Sequence, residues 1–360
     1  MKSKDEEKYK ILYLSFNQDR SCLALGLEIG FAIYSVNPMK KLFLRGKYTY
    51  IIINIDFGCG IGRIEMLKTT NILALVGGGN NPKFSPNKII IWDESKCQII
   101  GELRFNTNVL NVKIKMDRIV GVCQKRIYIF NINTLAIVDM FDTYENNHGI
   151  ISISDGDLIS VIAFPYDEKG IVKLVNFNSL AQPPIISAHE SNIACLSINY
   201  NGTLLATASD KGTLIRVFNI SNGKLIIELR RGSKNAEIHN IVFDKHNKFV
   251  GCTGDSGTIH IFSIISAMKN LDENYYSNEL EKKKKNKKSI FNKILNKINS
   301  AYLNSEWSFA KFRISEHNCN MSFLKNHTIC VFTLDGKYYL ASFDPKKIGE
   351  CEKLKESYIF

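Results

Sequence analysis

Short runs of β-branched and aromatic residues recur along the chain, and each run follows a turn residue. They cover residues 30–34, 87–92, 125–130, 170–175, 212–218, 257–262 and 336–340. Runs of this composition bounded by Gly or Asn are typical of β-strands. Their starts lie 57, 38, 45, 42, 45 and 79 residues apart. Four of these spacings lie near the ~40–45-residue repeat of a four-stranded propeller blade.

A second kind of run, made of small apolar residues, precedes the first kind. Examples are residues 22–26, 72–76, 118–122 and 204–208. Such strands suit the crowded region near a propeller axis. Seven units of about four strands predict an all-β fold, a seven-bladed β-propeller that forms one domain over residues 1–360. A pair of long β-sandwiches is the alternative, but it does not explain seven similar units.

The two long spacings contain insertions. The first holds the turn-rich stretch at residues 77–82, and the second holds a Lys-rich segment within residues 263–305, predicted to interrupt blade six. The chain has 47 Lys and Arg against 35 Asp and Glu, a formal net charge of +12. Such an excess favours an anionic partner. Residues 282–300 alone hold eight Lys and no acid, so net charge by itself argues only weakly for nucleic acid.

Several other classes of protein are disfavoured by what the sequence lacks. The nine Cys form no C-x-x-C pair and the seven His are scattered, which indicates reduced thiols and no metal or other cofactor. The polar N-terminus resembles no signal peptide, and no apolar run approaches the ~18 residues of a membrane span. Nucleophile-elbow, phosphate-loop and zinc-protease motifs are missing, so we expect no enzyme. Any membrane contact should be peripheral.

Blade five carries the most specific pattern, Leu229-Arg230-Arg231-Gly232. Together with residues 187–189, 193–196 and 201–218, this pattern resembles the PROPPIN family, the phosphoinositide-binding autophagy propellers that include the WIPI proteins. Residues 14–19, 75–79, 84–88 and 306–310 extend the resemblance to nearly all blades. Leu229 replaces the family's usual Phe, and Gly254 replaces a Ser that the family often has.

The paired arginines predict two binding pockets. Successive side chains of a strand point to opposite faces, so Arg230 and Arg231 cannot serve one pocket. Arg suits phosphate because its planar guanidinium binds two oxygens at once. The resemblance implies that matching positions bind inositol phosphates. The first pocket is expected to contain His189, Ser209, Lys211, Thr213, Arg216 and Arg230; the second is expected to contain Arg231, Ser256, Thr258 and His260. The alternatives are a solvated Arg-Arg strand edge and histidines that only tie strands together.

The blade-six insertion combines a Lys tract with an apolar helical stripe. The stripe consists of Ile290, Phe291, Ile294, Leu295, Ile298 and Tyr302, with Ala301 between the last two. An apolar face joined to a Lys-rich tract is typical of a helix that lies in a membrane interface. A disordered basic loop, a nuclear-localisation tract and nucleic-acid binding remain alternatives. The family likewise has a membrane-contacting loop in blade six.

The resemblance implies a non-enzymatic membrane effector. It would bind phosphatidylinositol 3-phosphate and phosphatidylinositol 3,5-bisphosphate and recruit an autophagy lipid-transfer protein or other autophagy factors. We expect a cytoplasmic monomer that attaches to autophagosomal, endosomal or vacuolar membranes and binds no nucleic acid. The alternative is a WD-repeat scaffold whose basic edge docks acidic partners without lipid specificity, although Trp92-Asp93 is the only WD dipeptide.

The insertion stripe yields a first testable prediction. Changing Phe291 and Leu295 to Asp should weaken association with liposomes, because each large apolar side chain gains roughly 1.5–3 kcal/mol when fully buried. Binding of a soluble inositol phosphate should hardly change, because the arginines lie on another element. Flotation and calorimetry measure the two quantities. If both fall together the segment belongs to a pocket or the core, and if neither changes it is only a loop.

Overall fold

The computed structural model describes residues 10–46, 58–269 and 305–360, and in these ranges seven β-sheets form the seven blades of a propeller. Blade 1 contains β1 (Ile11–Phe16), β2 (Cys22–Leu27), β3 (Gly30–Ser35) and β4 (Lys40–Arg45). Blade 2 contains β5 (Ile61–Met66), β6 (Ile72–Gly77), β7 (Lys88–Asp93) and β8 (Gln98–Arg104). Blade 3 contains β9 (Asn111–Ile114), β10 (Arg118–Val122), β11 (Arg126–Asn131) and β12 (Ile137–Asp142). Blade 4 contains β13 (Ser152–Ile153), β14 (Val161–Pro165), β15 (Ile171–Asn176) and β16 (Ile186–Ser187).

The remaining three blades include two with an extra strand. Blade 5 contains β17 (Ile193–Ile198), β18 (Leu204–Ser209), β19 (Leu214–Asn219), β20 (Leu225–Arg230) and β24 (Glu306–Trp307). Blade 6 contains β21 (Ile238–Phe243), β22 (Phe249–Gly254), β23 (Thr258–Ser263), β25 (Ala310–Arg313) and β29 (Gly349–Glu350). Blade 7 contains β26 (Cys319–Phe323), β27 (Thr328–Thr333), β28 (Lys337–Ser342) and β30 (Glu352–Tyr358).

The recurring sequence runs are the third strands of the blades. They coincide with β3, β7, β11, β15, β19, β23 and β28, and the small apolar runs coincide with the second strands β2, β6, β10 and β18. The predicted seven-bladed β-propeller is therefore confirmed. Each second strand is enclosed by two strands of its own sheet and by both neighbouring blades, which is why β2 and β18 are buried along their whole length.

The apolar cores lie between adjacent blades. In β19, Ile215 and Val217 belong to the core between blades 5 and 6, whereas Phe218 belongs to the core between blades 4 and 5. This division follows from strand alternation, because each strand sends alternate side chains to the two sides of its blade. The same alternation decides which polar side chains near the rim share a space.

The first strands surround a central channel of about 980 Å³. Three blades meet there through a polar network in which Lys113 of blade 3 is ion-paired with Glu65 of blade 2, and Tyr13 of blade 1 donates to Glu65 at 3.4 Å. Burial raises the pKa of Glu65, while the neighbouring Lys113 ammonium opposes that rise. The network links blades 1, 2 and 3 near the axis.

The ring closes through side-chain packing between blades 7 and 1. In the described part of the chain these blades share no strand, because blade 1 is built from residues 11–45 and blade 7 from residues 319–358. One apolar cluster contains residues of both blades, including Phe332 and Leu23. Phe332 contacts Phe16 edge-on, with 5.7 Å between ring centroids, and Tyr34 Oη donates to the Ile359 carbonyl at 3.2 Å.

The chain takes an indirect route between the third and fourth strands of blade 6. It leaves β23 through a helical turn at residues 265–269 and is described again from Ser305. It then pairs as β24 parallel to β20 of blade 5 before it returns to blade 6 as β25. Residues 305–309, here called the strap, therefore run across the outer edges of both blades.

Ring closure without a shared strand makes Phe332 a sensitive position. Changing Phe332 to Ala should lower the free energy of unfolding by about 3–5 kcal/mol, because the ring is fully buried where blades 7 and 1 meet. Urea unfolding followed by circular dichroism measures this change. Met116→Ala is the control, since Met116 is 53% exposed and should change stability by about 0.5 kcal/mol or less. Equal effects of the two substitutions would contradict closure through this cluster.

Candidate functional site

Arg230 and Arg231 reach into two different inter-blade clefts. Arg230 ends β20 and pairs with Leu214 of β19, while the Arg231 amide continues the ladder by donating to the Thr213 carbonyl at 2.9 Å. Arg230 shares its sheet face with Arg216 and Phe218, and Phe218 belongs to the core between blades 4 and 5. Arg231 is on the face of Leu229, which belongs to the core between blades 5 and 6. The two guanidinium groups are therefore separated by the blade itself.

The first pocket lies between blades 4 and 5. Arg216 is in register with Glu228 on β20 and with Thr207 on β18. Its Nε donates to Glu228 Oε2 at 3.0 Å, and its Nη1 donates to the Ala188 carbonyl at 2.7 Å. Arg216, a predicted member of this pocket, is therefore part-buried and has two partners within the protein.

His189 forms the blade-4 side of the first pocket. Its Nε2 shares a hydrogen bond with Thr207 Oγ1 at 2.9 Å, and its side chain is buried. Burial and then the nearby Arg216 charge lower the pKa of His189 to about 4. The imidazole is consequently neutral near neutral pH. In this neutral form it can still donate a hydrogen bond to an anion through its N–H group.

The other first-pocket candidates lie at the same end of blade 5. Ser209 ends β18 and is buried, two residues beyond Thr207 and on the same face. Lys211 and Thr213 belong to the turn between β18 and β19, next to the Leu214–Arg230 pair. Arg230 Nε donates to Ser305 Oγ of the strap at 2.9 Å. Five of the six predicted residues thus lie at the first pocket, whereas Thr213 lies opposite Arg231 in the ladder and so belongs to the face of the second pocket.

The second pocket lies between blades 5 and 6. Arg231 Nε donates to the Gly212 carbonyl at 2.9 Å and its Nη2 donates to the Lys234 carbonyl. Opposite it, His260 on β23 is buried and shares a hydrogen bond of 2.7 Å between Nδ1 and Ser308 Oγ. Burial and then the charges of Arg231, Lys311 and Arg313 lower the pKa of His260 to about 4.

Ser256 and Thr258 complete the predicted second pocket. Ser256 is exposed in the turn between β22 and β23, and Thr258 begins β23 in register with Arg313. Gly254 has a structural reason to be Gly, because a Cβ there would lie 2.4 Å from the Glu237 carbonyl oxygen. A Ser at this position would require the backbone to move, so close packing favours Gly here.

Sequence reasoning missed five residues of this region. They are Ser305, Trp307 and Ser308 of the strap, and Lys311 and Arg313 of β25. Lys311 pairs with His260 and Arg313 pairs with Thr258, so both cations share the face of the second pocket. The alternation Ala310-Lys311-Phe312-Arg313 was the available signal, since it reads as a strand with one apolar and one cationic face. For the strap serines the sequence offered no local signal.

Both pockets have the composition of an anion site. Each combines guanidinium and ammonium groups, hydroxyl groups and a histidine that burial keeps neutral. Phosphate oxygens accept hydrogen bonds from all of these groups, and those from charged donors are the strongest. The predicted membrane-contact residues Ile290, Phe291, Ile294, Leu295, Ile298 and Tyr302 lie outside the described residues. Among the residues that the structure describes, no helix is long and apolar enough to span a bilayer.

Comparison with known proteins places the chain among autophagy propellers. The PROPPIN family model matches residues 11–359. Autophagy-related protein 18e from Arabidopsis thaliana is 32% identical over 365 residues, covering 99% of this chain and 90% of that protein. Autophagy-related protein 18 from Yarrowia lipolytica is 29% identical over 393 residues and covers 96% of each chain.

Solved structures show the same fold at lower identity. Hsv2 from Kluyveromyces lactis matches with a TM-score of 0.72 and 21% identity over 98% of this chain and all of that chain. KlAtg21, solved in complex with the coiled-coil of AgAtg16, matches with a TM-score of 0.74 and 24% identity over 97% of this chain and 99% of that chain. With a family model that spans nearly every blade and a relative at 32% identity, this chain belongs to the PROPPIN family.

Proposed function

We propose that this protein is a peripheral membrane effector of autophagy that binds phosphatidylinositol 3-phosphate and phosphatidylinositol 3,5-bisphosphate. The observation that carries this proposal is the placement of Arg230 and Arg231 on opposite faces of blade 5, at the edges of two clefts that each contain a buried histidine. Membership of a family whose curated members include autophagy-related proteins supports the cellular role. The protein acts by binding rather than by catalysis.

The charge state of each pocket favours a phosphate. Arg230 donates to the Ser305 hydroxyl and Arg231 donates to two main-chain carbonyls, and these acceptors orient the two guanidinium groups. Arg216 forms an ion pair with Glu228 that offsets its charge. We therefore assign Arg216 to the alignment of the first pocket, and assign phosphate binding chiefly to the adjacent Arg230 and Arg231.

Two pockets on either side of one blade should act together. Once one headgroup is bound, the second pocket meets the same membrane at a high effective concentration, so modest affinities combine into firm attachment. Attachment of this kind is peripheral and reversible. The outer faces of the other blades stay available for autophagy factors, and KlAtg21 in complex with the coiled-coil of AgAtg16 is a precedent for such a partner.

The paired arginines provide the main test. The double change Arg230→Thr and Arg231→Thr should abolish flotation on phosphatidylinositol 3-phosphate liposomes and leave the circular dichroism spectrum unchanged. Each single change should weaken binding by about 10- to 100-fold, because a hydrogen bond to a charged group contributes roughly 1.5–3 kcal/mol. Flotation on liposomes that each contain one phosphoinositide isomer defines the lipid preference.

A charge-matched control separates pocket binding from general attraction. Changing Arg104 and Arg126 to Thr removes the same two charges from exposed positions on β8 and β11, in blades 2 and 3. This control variant should bind the liposomes nearly as well as the wild type. Retained binding in the R230T/R231T variant, or an equal loss in both double variants, would contradict the proposal and favour a scaffold with a basic edge.

The histidines predict a pH dependence that a bound phosphate reduces. Because His189 and His260 have pKa values lowered to about 4, the folded state disfavours protonation, and their contribution to stability is present above about pH 6.5. It is lost as pH falls toward about 4, by a few kcal/mol in total at most. A phosphate beside each imidazole stabilises its protonated form. Soluble inositol 1,3-bisphosphate should therefore raise the free energy of unfolding most at low pH.

Urea unfolding at several pH values, with and without this ligand, measures the effect. Changing both histidines to Gln should reduce the loss of unfolding free energy between pH 6.5 and pH 4. It should also remove the additional stabilisation by the ligand at low pH. Protection that is independent of pH in the wild type would show that the histidines do not face the bound phosphate.

A further inference from the structure

Trp307 is exposed at the edge that carries both pockets. The chain has two tryptophans. Trp92 is fully enclosed in blade 2, whereas Trp307 in the strap is 52% exposed. Large aromatic side chains bury much area when they leave water, so an exposed Trp on a folded protein often marks an interaction site. Trp307 occupies β24, the outermost strand of blade 5.

The position of Trp307 is set by strand pairing with a residue of the first pocket. β24 runs parallel to β20, and Trp307 is the partner of Arg230 in the register. The preceding Ser305 holds the Arg230 guanidinium, and the following Ser308 contacts His260 of the second pocket. The main chain at Trp307 is therefore held by strand pairing and by the hydrogen bonds of Ser305 and Ser308, and the indole shares the sheet face of Arg230, on the side of the first pocket.

The charges around Trp307 favour an anionic partner. Cationic residues of the adjoining strands and turns include Lys211, Arg230, Arg231, Lys311 and Arg313. Of the nearby carboxylates, Glu350 is ion-paired with Arg313 at 3.5 Å, and Glu306 accepts from Ser266 Oγ at 3.3 Å but keeps its negative charge, so the cations of this edge outnumber its acids. An apolar ring surrounded by cations matches the boundary of an anionic bilayer, where phosphate groups lie above the acyl chains.

We propose that Trp307 inserts into the interfacial region of an anionic phospholipid bilayer and sets the depth at which the two pockets meet their headgroups. This inference rests on the proposed function, since a lipid must first bring the edge to the membrane. Trp suits the task because its ring is apolar while its N–H can hydrogen-bond at headgroup level, which is why Trp is enriched at membrane interfaces. Trp307 contributes affinity for the bilayer and none for a soluble headgroup.

Intrinsic fluorescence tests the insertion directly. Because Trp92 is buried in both states, a change in emission on adding vesicles reports Trp307. Vesicles of phosphatidylcholine and phosphatidylserine with phosphatidylinositol 3-phosphate should shift the emission to shorter wavelength. Lipids brominated near the headgroup should quench it more strongly than lipids brominated deep in the acyl chain. Vesicle flotation of the same samples measures how much protein is bound.

A displaced tryptophan provides the matched control. The variant W307F/I99W moves the exposed indole to β8 of blade 2, across the ring from blades 5 and 6, where Ile99 is 46% exposed. This variant should float with the vesicles and show neither the shift nor the quenching. An equal shift in the control would show that the signal does not come from the strap, and would overturn the inference.

Loss of the ring should affect only the bilayer. Trp307→Ala should weaken binding to these vesicles by about tenfold, because partial burial of a large apolar side chain contributes of the order of 1.4 kcal/mol. Its affinity for soluble inositol 1,3-bisphosphate should stay unchanged, and Trp307→Phe should restore most of the vesicle binding. If Trp307→Ala lowers the affinity for vesicles and for the soluble headgroup equally, Trp307 supports the structure of a pocket and the inference is wrong.

The two proposals fail in different ways. If the wild-type protein does not float with phosphatidylinositol 3-phosphate vesicles, the proposed function is wrong and the inference falls with it. If it floats but Trp307 emission is neither shifted nor quenched, only the inference is wrong, and Trp307 belongs to a surface for a protein partner.

Discussion

The alternation of side chains along a β-strand is the constraint on which the whole arrangement depends. Each blade has two faces, and every strand divides its residues between the clefts on either side. In β19 this rule sends Ile215 and Phe218 into different apolar cores. At the rim, where these cores end, the same rule sends Arg230 and Arg231 into different clefts. Two candidate anion pockets therefore arise from two adjacent residues.

Burial makes the pockets more than a cluster of cations. His189 and His260 are buried, and removal from water lowers the pKa of each, as does the positive charge of Arg216 near His189 and of Arg231 near His260. A neutral donor adds no repulsion among the arginines in the empty state. When an anion arrives, the same imidazole can take up a proton, because the anion reverses the sign of the local field.

The sequence was informative wherever structure is local. Third strands such as β23 could be predicted because β-branched residues follow a turn. The candidates on β18 to β20 could be proposed together because they are close in sequence, on consecutive antiparallel strands. The strap was not predictable, since Ser305 meets Arg230 across 75 positions of sequence and β24 pairs with a neighbouring blade. Arg216 was predicted to belong to the first pocket, but its ion pair with Glu228 could not be predicted, because that contact depends on the register between β19 and β20.

The strap links the two candidate pockets through the main chain. Ser305 Oγ accepts from Arg230 Nε, and Ser308 Oγ shares a hydrogen bond with His260, so each hydroxyl holds one polar group of a candidate pocket. These hydrogen bonds orient Arg230 and His260, and a hydroxyl brings no negative charge into the cleft, whereas a carboxylate would. A hydroxyl is also the weaker acceptor, so an incoming phosphate can take over these contacts. The chemistry of the strap therefore permits alignment of the pockets before binding and release of the same groups to the ligand.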